Sequence, residues 1–244
     1  MMNASTVWAL LLAIFFFAAF GQAISGFGFA LVGMPLTTFV VGTQTAAPLV
    51  AMAGLTLYTI NLLRYHQSIN WREVARVGSA AALGVPIGVW GLANLNESII
   101  KIVLGFILIG YAIFSFVRPV VSLLPSPRWG YLFGFATGCL GGAYNIPGPP
   151  LIVYGTLRQW QRDEFRAVLQ TLFFLTGSLT VASHYFAHHL TSDILSLYAS
   201  TAPALLLGLG LGALIDRYIN HTVFRWIVLT LIFILGLTLI LGAR

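Results

Sequence analysis

Charge is what this sequence most lacks. Only 7% of its 244 residues are Asp, Glu, Lys or Arg, against roughly 25% in a soluble globular domain. So few charges cannot cover a water-facing surface, and the class they leave is an integral membrane protein. Cysteine is nearly absent. A lone Cys139 excludes an intrachain disulfide and any multi-cysteine metal centre. No polar stretch is long enough for an appended soluble domain, so ligand chemistry has to occur at membrane depth.

Carboxylates are also missing where they would matter. Glu73, Glu97, Asp163, Glu164, Asp193 and Asp216 all fall in loops or at segment ends. A cation transporter or a carboxylate proton relay needs one mid-span. No carboxylate pair, serine–base pair or metal triad falls at membrane depth, which speaks against an intramembrane enzyme and calls for no metal or cofactor. The formal charge of +6 does not point to nucleic acid. The basic residues sit mostly in short loops, the topogenic bias of membrane proteins.

What the chain has in abundance is apolar length: 59% hydrophobic residues and a mean hydropathy of +0.92. The first apolar stretch is too long for a cleaved signal peptide and lacks a positive leader. Eight segments emerge where a crossing needs roughly 20 residues. They lie near 6–42, 44–64, 74–93, 98–118, 129–157, 165–187, 194–215 and 222–242. Trp71, Trp129, Trp160 and Trp226 lie near segment ends, where indoles favour the membrane interface.

The two halves resemble each other. The run from Gly21 to Gly42 is as long as that from Gly134 to Gly155, with Gly28 opposite Gly141. At an offset of 124, Gly84 matches Gly208, Gly88 matches Gly212, Asn96 matches Asn220 and Lys101 matches Arg225. This predicts two transmembrane repeats, residues 1–120 and 121–244, as in many secondary transporters.

Charge counting sets the topology. If all eight segments cross once, the basic residues divide evenly between the two sides. If the first and fifth segments double back, one side collects Arg64, Arg72, Arg76, Arg118, Arg128, Arg158, Arg162, Arg166, Arg217 and Arg225, leaving Lys101 and Arg244 on the other. The basic side is then cytoplasmic. The predicted fold is all-α and membrane-integral: two inverted repeats, each with about three spanning helices and one broken, re-entrant helical hairpin. Arg158, Arg162 and Arg166 read as one helix face at the cytoplasmic surface.

The breaks are Ser25-Gly26-Phe27-Gly28 and the stretch GCLGGAYNIPGPPLIVYG from Gly138 to Gly155. Broken backbone is tolerated within a membrane only where it is buried in protein or lines a cavity. A half-helix starting near the midplane presents free N–H groups and a positive dipole end, which favour an anion. Asn145 reads as the cap of the second half-helix, and Pro149-Pro150 suit its first turn. Candidate substrate-binding residues are Gln22, Ser25, Gly26, Gly28, Gly141, Gly142, Tyr144, Asn145, Gly148 and Gln170. His184 is the candidate for proton coupling, since imidazole titrates near neutral pH. A His-x3-His pairing of His184 with His188 lacks a third metal ligand.

SGFGFALVGMPL in the first half, and GCLGGAYNIPGPPLIVYG followed by FRAVLQTLFF in the second, resemble the sulfite exporter TauE/SafE family across nearly the whole chain. The first half departs from the pattern by placing Phe27, Phe29 and Ala30 where small residues are usual. The resemblance implies a multi-pass protein of the bacterial inner membrane that exports sulfite or an organosulfonate such as sulfoacetate. The expected partners are a small anion and the lipid bilayer, and a homo-oligomer is left open. The alternatives are a passive anion channel or a transporter of another small organic anion.

Overall fold

The computed structural model describes residues 3–117 and 126–242. Arg118, Pro125 and Arg244, which enter the topology reading, lie outside the described residues. Among the described residues ten α-helices follow one another: α1 (Ala4–Ser25), α2 (Phe29–Val41), α3 (Thr43–Tyr65), α4 (Trp71–Asn94), α5 (Glu97–Val117), α6 (Trp129–Tyr144), α7 (Gly148–Leu157), α8 (Arg162–Phe186), α9 (Ser192–Ile215) and α10 (His221–Leu241). No strand occurs among the described residues, as the eight apolar segments predict. Among the described residues seven helices (α1, α3, α4, α5, α8, α9 and α10) are long and apolar enough to cross a membrane.

The eight segments map onto ten helices because two of them are broken. Gly26 ends α1 in the left-handed region at φ 78°, and Gly28 precedes α2 at φ 114°. Both conformations are cheap only without a Cβ. The first hairpin is more lopsided than a pair of half-helices. At 22 residues, α1 is about 33 Å long, whereas the 13 residues of α2 span about 20 Å. Elsewhere asparagine sets the helix starts: Asn96 accepts the Ser98 N–H at 2.8 Å, and Asn220 accepts that of Thr222 at 3.0 Å. These two caps are the asparagines paired by the offset of 124.

The helices form two compact units, and the division falls within α3 between Ala53 and Gly54. One unit holds α1, α2, α5, α9, α10 and the first part of α3. The other holds the rest of α3 with α4, α6, α7 and α8. Each draws helices from both halves of the chain.

Within each unit, glycine lets backbones touch. In the second, a Cβ on Gly84 or Gly88 of α4 would strike the α6 backbone at Phe135 and Cys139, and one on Gly134, Gly138 or Gly142 of α6 would strike the carbonyls of Val77, Ala81 and Val85. The paired positions ascend together, so α4 and α6 run parallel. In the first unit Gly208 and Gly212 of α9 meet α1 at Phe16 and Phe20 in the same parallel sense. Lipid supplies no hydrophobic drive for helix association, so close backbone packing has to hold these pairs. α5 and α10 instead run antiparallel. Gly105 faces Gly236, and the Arg225 guanidinium donates to the Ser115 carbonyl at 2.6 Å.

Trp71, Trp129 and Trp226 are exposed near helix starts, where interfacial indoles are expected. Trp160 differs: half-buried, its ring packs edge-on to Tyr154 and against Phe165. The arginine face also differs. Arg158 caps the C-terminus of α7, and a turn with Gln159 at φ 52° separates it from Arg162 at the start of α8. Arg158 and Arg162 therefore stand on different helices.

Candidate functional site

The first break, in the unit of α1 and α2, is closed by two of the predicted residues. Gln22 lies buried in the last turn of α1. Its carbonyl accepts the Phe29 N–H at 3.0 Å and its amide donates to the Gly26 carbonyl at 3.3 Å. The Ser25 hydroxyl donates to the Gly21 carbonyl at 2.7 Å, accepts the Phe27 N–H at 3.3 Å and also touches the Phe27 carbonyl. Both side chains staple the break. Of the first-turn donors of α2, Phe29 is thus taken by Gln22, and Val32 by the Gly28 carbonyl at 3.1 Å. The N–H groups of Ala30 and Leu31 have no acceptor among the described residues, although both residues are buried. Gly26 has open space where a Cβ would stand.

The second break, in the other unit, is built differently. Asn145 does not cap α7. It ends α6 in the left-handed region at φ 56°, with its N–H on the Gly141 carbonyl at 2.9 Å, and Pro147 is the residue that precedes α7. Asparagine tolerates this conformation better than other residues with a Cβ, so it serves where glycine otherwise would. The α7 start is poor in donors. Pro147, Pro149 and Pro150 carry no N–H, and Gly148 alone supplies one ahead of Leu151. The sequence suggested that the prolines suit a helix start; they also strip it of the groups an anion would use.

Tyr144, Asn145 and Gly148 are all buried. The α6–α7 pair doubles back, because the Tyr154 hydroxyl near the end of α7 lies 3.4 Å from the Pro127 carbonyl just ahead of α6. α8 lines this tip: a Cβ on Gly148 would meet the Phe173 ring at 3.6 Å, and one on Gly141 would meet Thr176 at 3.7 Å. Gln170 sits buried on α8 one turn before Phe173. Gly142 faces α4 instead, where its lack of a Cβ serves packing. His184 is not brought to the tip. It lies about 16 Å further along α8 than Phe173, fully buried, with its Nδ1 3.0 Å from that of His189.

Sequence reasoning missed several groups. The hydroxyls of Thr38, Thr137 and Thr180 are buried without a partner among the described residues. It also treated Glu73 as a segment-end acid, whereas Glu73 is buried in a cluster with Arg76, Tyr154 and Arg158. Only the Glu73–Arg76 spacing, three apart on a helix, was available as a signal. No three His, Cys, Asp or Glu side chains converge as metal ligands among the described residues.

Helices broken inside a membrane bundle, with buried helix starts, are an architecture that many secondary transporters use. The chain belongs to the sulfite exporter TauE/SafE family, whose profile matches residues 11–239. With its candidate membrane spans it is a multi-pass protein of the bacterial inner membrane. It is similar to a probable sulfite/organosulfonate exporter TauE of Cupriavidus necator, at 24% identity over 164 residues. That match spans 65% of this chain and 64% of the relative's length. No solved structure matches.

Proposed function

We propose that this chain is a secondary transporter that exports a small oxidised-sulfur anion, sulfite or an organosulfonate such as sulfoacetate. The start of α2, in one unit, and that of α7, in the other, are each a candidate seat for an anion. The carrying observation is the set of buried N–H groups at these helix starts, Ala30 and Leu31 in one unit and Gly148 in the other, that lack acceptors among the described residues. A buried donor without a partner costs about 1–3 kcal/mol, which a bound oxyanion relieves. The helix dipole adds to the same preference. The similarity to a relative named for sulfite and organosulfonates supports the choice of anion.

The two units also support a reading of the chain as two inverted repeats, 1–120 and 121–244. Gly84 and Gly88 seat α4 on α6 as Gly208 and Gly212 seat α9 on α1, and Asn96 caps α5 as Asn220 caps α10. Each broken hairpin thus packs on a helix contributed by the other half. With each hairpin entering and leaving the membrane on one side, three crossings per half make the second half inverted.

The test is thermal stabilisation of the purified chain by sulfite, sulfoacetate, sulfate, taurine and carboxylates, since a ligand that binds only the folded state raises its stability. Selective stabilisation by sulfite or sulfoacetate is the expected result. No selectivity among these anions overturns the substrate assignment. Flux in proteoliposomes separates a carrier from a channel: saturation at low turnover marks the carrier.

A further inference from the structure

Glu73, in the first turn of α4, is held as a bound anion would be. Its Oε1 accepts from Arg76 at 2.8 Å and lies 3.7 Å from an Arg158 guanidinium nitrogen, and its Oε2 accepts from the Tyr154 hydroxyl at 2.9 Å. Two guanidiniums and a phenol on one carboxylate leave these four side chains with one net positive charge. The carboxylate and Tyr154 are buried, yet each arginine side chain keeps 24% of its surface exposed. The space beside the phenol is kept by a glycine: a Cβ on Gly130 would come within 2.9 Å of both the Tyr154 oxygen and Arg76 Cδ. The cluster sits where α6 begins and α7 ends, at the mouth of the hairpin in this unit. It therefore lies at the opposite end of the hairpin from the tip.

We propose that Arg76, Arg158 and Tyr154 form a second oxyanion site at this mouth, occupied by the Glu73 carboxylate in this conformation and opened when a small oxyanion displaces it. Sulfite and sulfonates present the same geometry as a carboxylate to a guanidinium fork, with one more oxygen. Glu73 is tethered by a flexible side chain on the same helix as Arg76, so it can leave without unfolding α4. It also acts as a competitor, keeping the resting affinity low so that an arriving anion is passed on and not trapped. The inference takes from the exporter reading only the identity of the ion. Its chemistry stands on the cluster.

The experiment uses the full chain in detergent and follows thermal stabilisation by sulfite, with chloride holding ionic strength constant. Glu73→Gln removes the competing charge, and sulfite should bind about tenfold tighter or more, as loss of a unit charge at this range implies. Adding Arg158→Gln to that variant should abolish the gain. A folded Glu73→Gln protein whose sulfite affinity is unchanged or weaker overturns the proposal and makes Glu73 a structural counter-ion. If Glu73→Gln does not fold, Glu73→Asp, which retracts the carboxylate by one methylene, decides by the same comparison with a smaller gain expected. Repeating the pair of measurements on an Asn145→Ala background keeps the two sites apart. A fault at the tip lowers both affinities, and a fault in the cluster removes only the ratio between them.

Discussion

The Gln22 side-chain carbonyl accepts the Phe29 backbone N–H at 3.0 Å, so a residue in the last turn of α1 caps the start of α2 across the break. Gln22 and Phe29 are seven residues apart in sequence, and both are buried. The hairpin is thereby fixed by one amide that reaches both sides of its tip, since the same side chain donates to the Gly26 carbonyl.

Gln22→Leu should therefore destabilise the protein by about 1–3 kcal/mol, the cost of buried polar groups left unpaired. Sulfite stabilisation should persist in reduced form, because Ala30 and Leu31 keep their N–H groups. Thermal unfolding with and without sulfite measures both effects. Complete loss of the sulfite response in a folded variant would make Gln22 itself a ligand.

Asn145 separates two roles by its backbone. Its left-handed conformation costs a residue with an ordinary side chain roughly 1–2 kcal/mol, so Asn145→Ala should lower stability while Asn145→Gly largely restores it. If the side chain also binds the anion, both variants lose about 1.5–3 kcal/mol of binding. Equal sulfite affinity in the glycine variant and the parent assigns Asn145 to the turn alone.

Two glycines of similar sequence setting should behave oppositely. A Cβ on Gly138 runs into the Ala81 carbonyl, whereas one on Gly110 meets nothing within 4 Å. Gly138→Ala should cost about 3 kcal/mol or more through forced separation of α4 and α6. Gly110→Ala should be neutral or gain up to about 1 kcal/mol of helix propensity. Melting temperatures in one detergent compare them directly.

The difference between those glycines also marks the limit of what sequence makes legible. Both breaks could be placed from glycine and proline alone, because these are local backbone preferences, whereas the repeat of Asn96 and Asn220 was legible but their capping role was not read from it. Which glycine faces a backbone and which faces open space depends on tertiary packing that no window of sequence contains. Glu73 and Tyr154 are 81 residues apart, and only the return of α7 to the mouth of its hairpin brings them to 2.9 Å. Asn145 was assigned to the wrong helix end because asparagine suits both an N-cap and a left-handed C-cap. Pro147 just downstream tipped the balance by taking the position ahead of α7.

Topology follows from the basic residues. Both termini should lie outside, with the loops near Arg72, Pro125, Arg162 and Arg217 inside. A cysteine placed at position 3 in a Cys139→Ser background should react with an impermeant maleimide in intact cells once the outer membrane is permeabilised. Protection of that site while a cysteine at position 162 reacts would reverse the orientation.

Coupling is the last question the His184–His189 pair poses. His184 is fully buried, its Nδ1 shares a hydrogen with His189 at 3.0 Å, and its Nε2 has no partner among the described residues. A proton arriving there would have the His189 imidazole as its partner and no carboxylate among the described residues to balance it. Export of an anion needs no such proton. An inside-negative potential favours outward movement of negative charge by roughly 2.3 kcal/mol per charge per 100 mV. Sulfite's second ionisation lies near neutral pH, so monoanion and dianion are both present to be carried. In proteoliposomes a potassium–valinomycin potential alone should therefore drive sulfite flux, and His184→Gln should alter its pH profile at most. Flux that instead requires a pH gradient and disappears in His184→Gln makes His184 the proton carrier and ends the uniport reading.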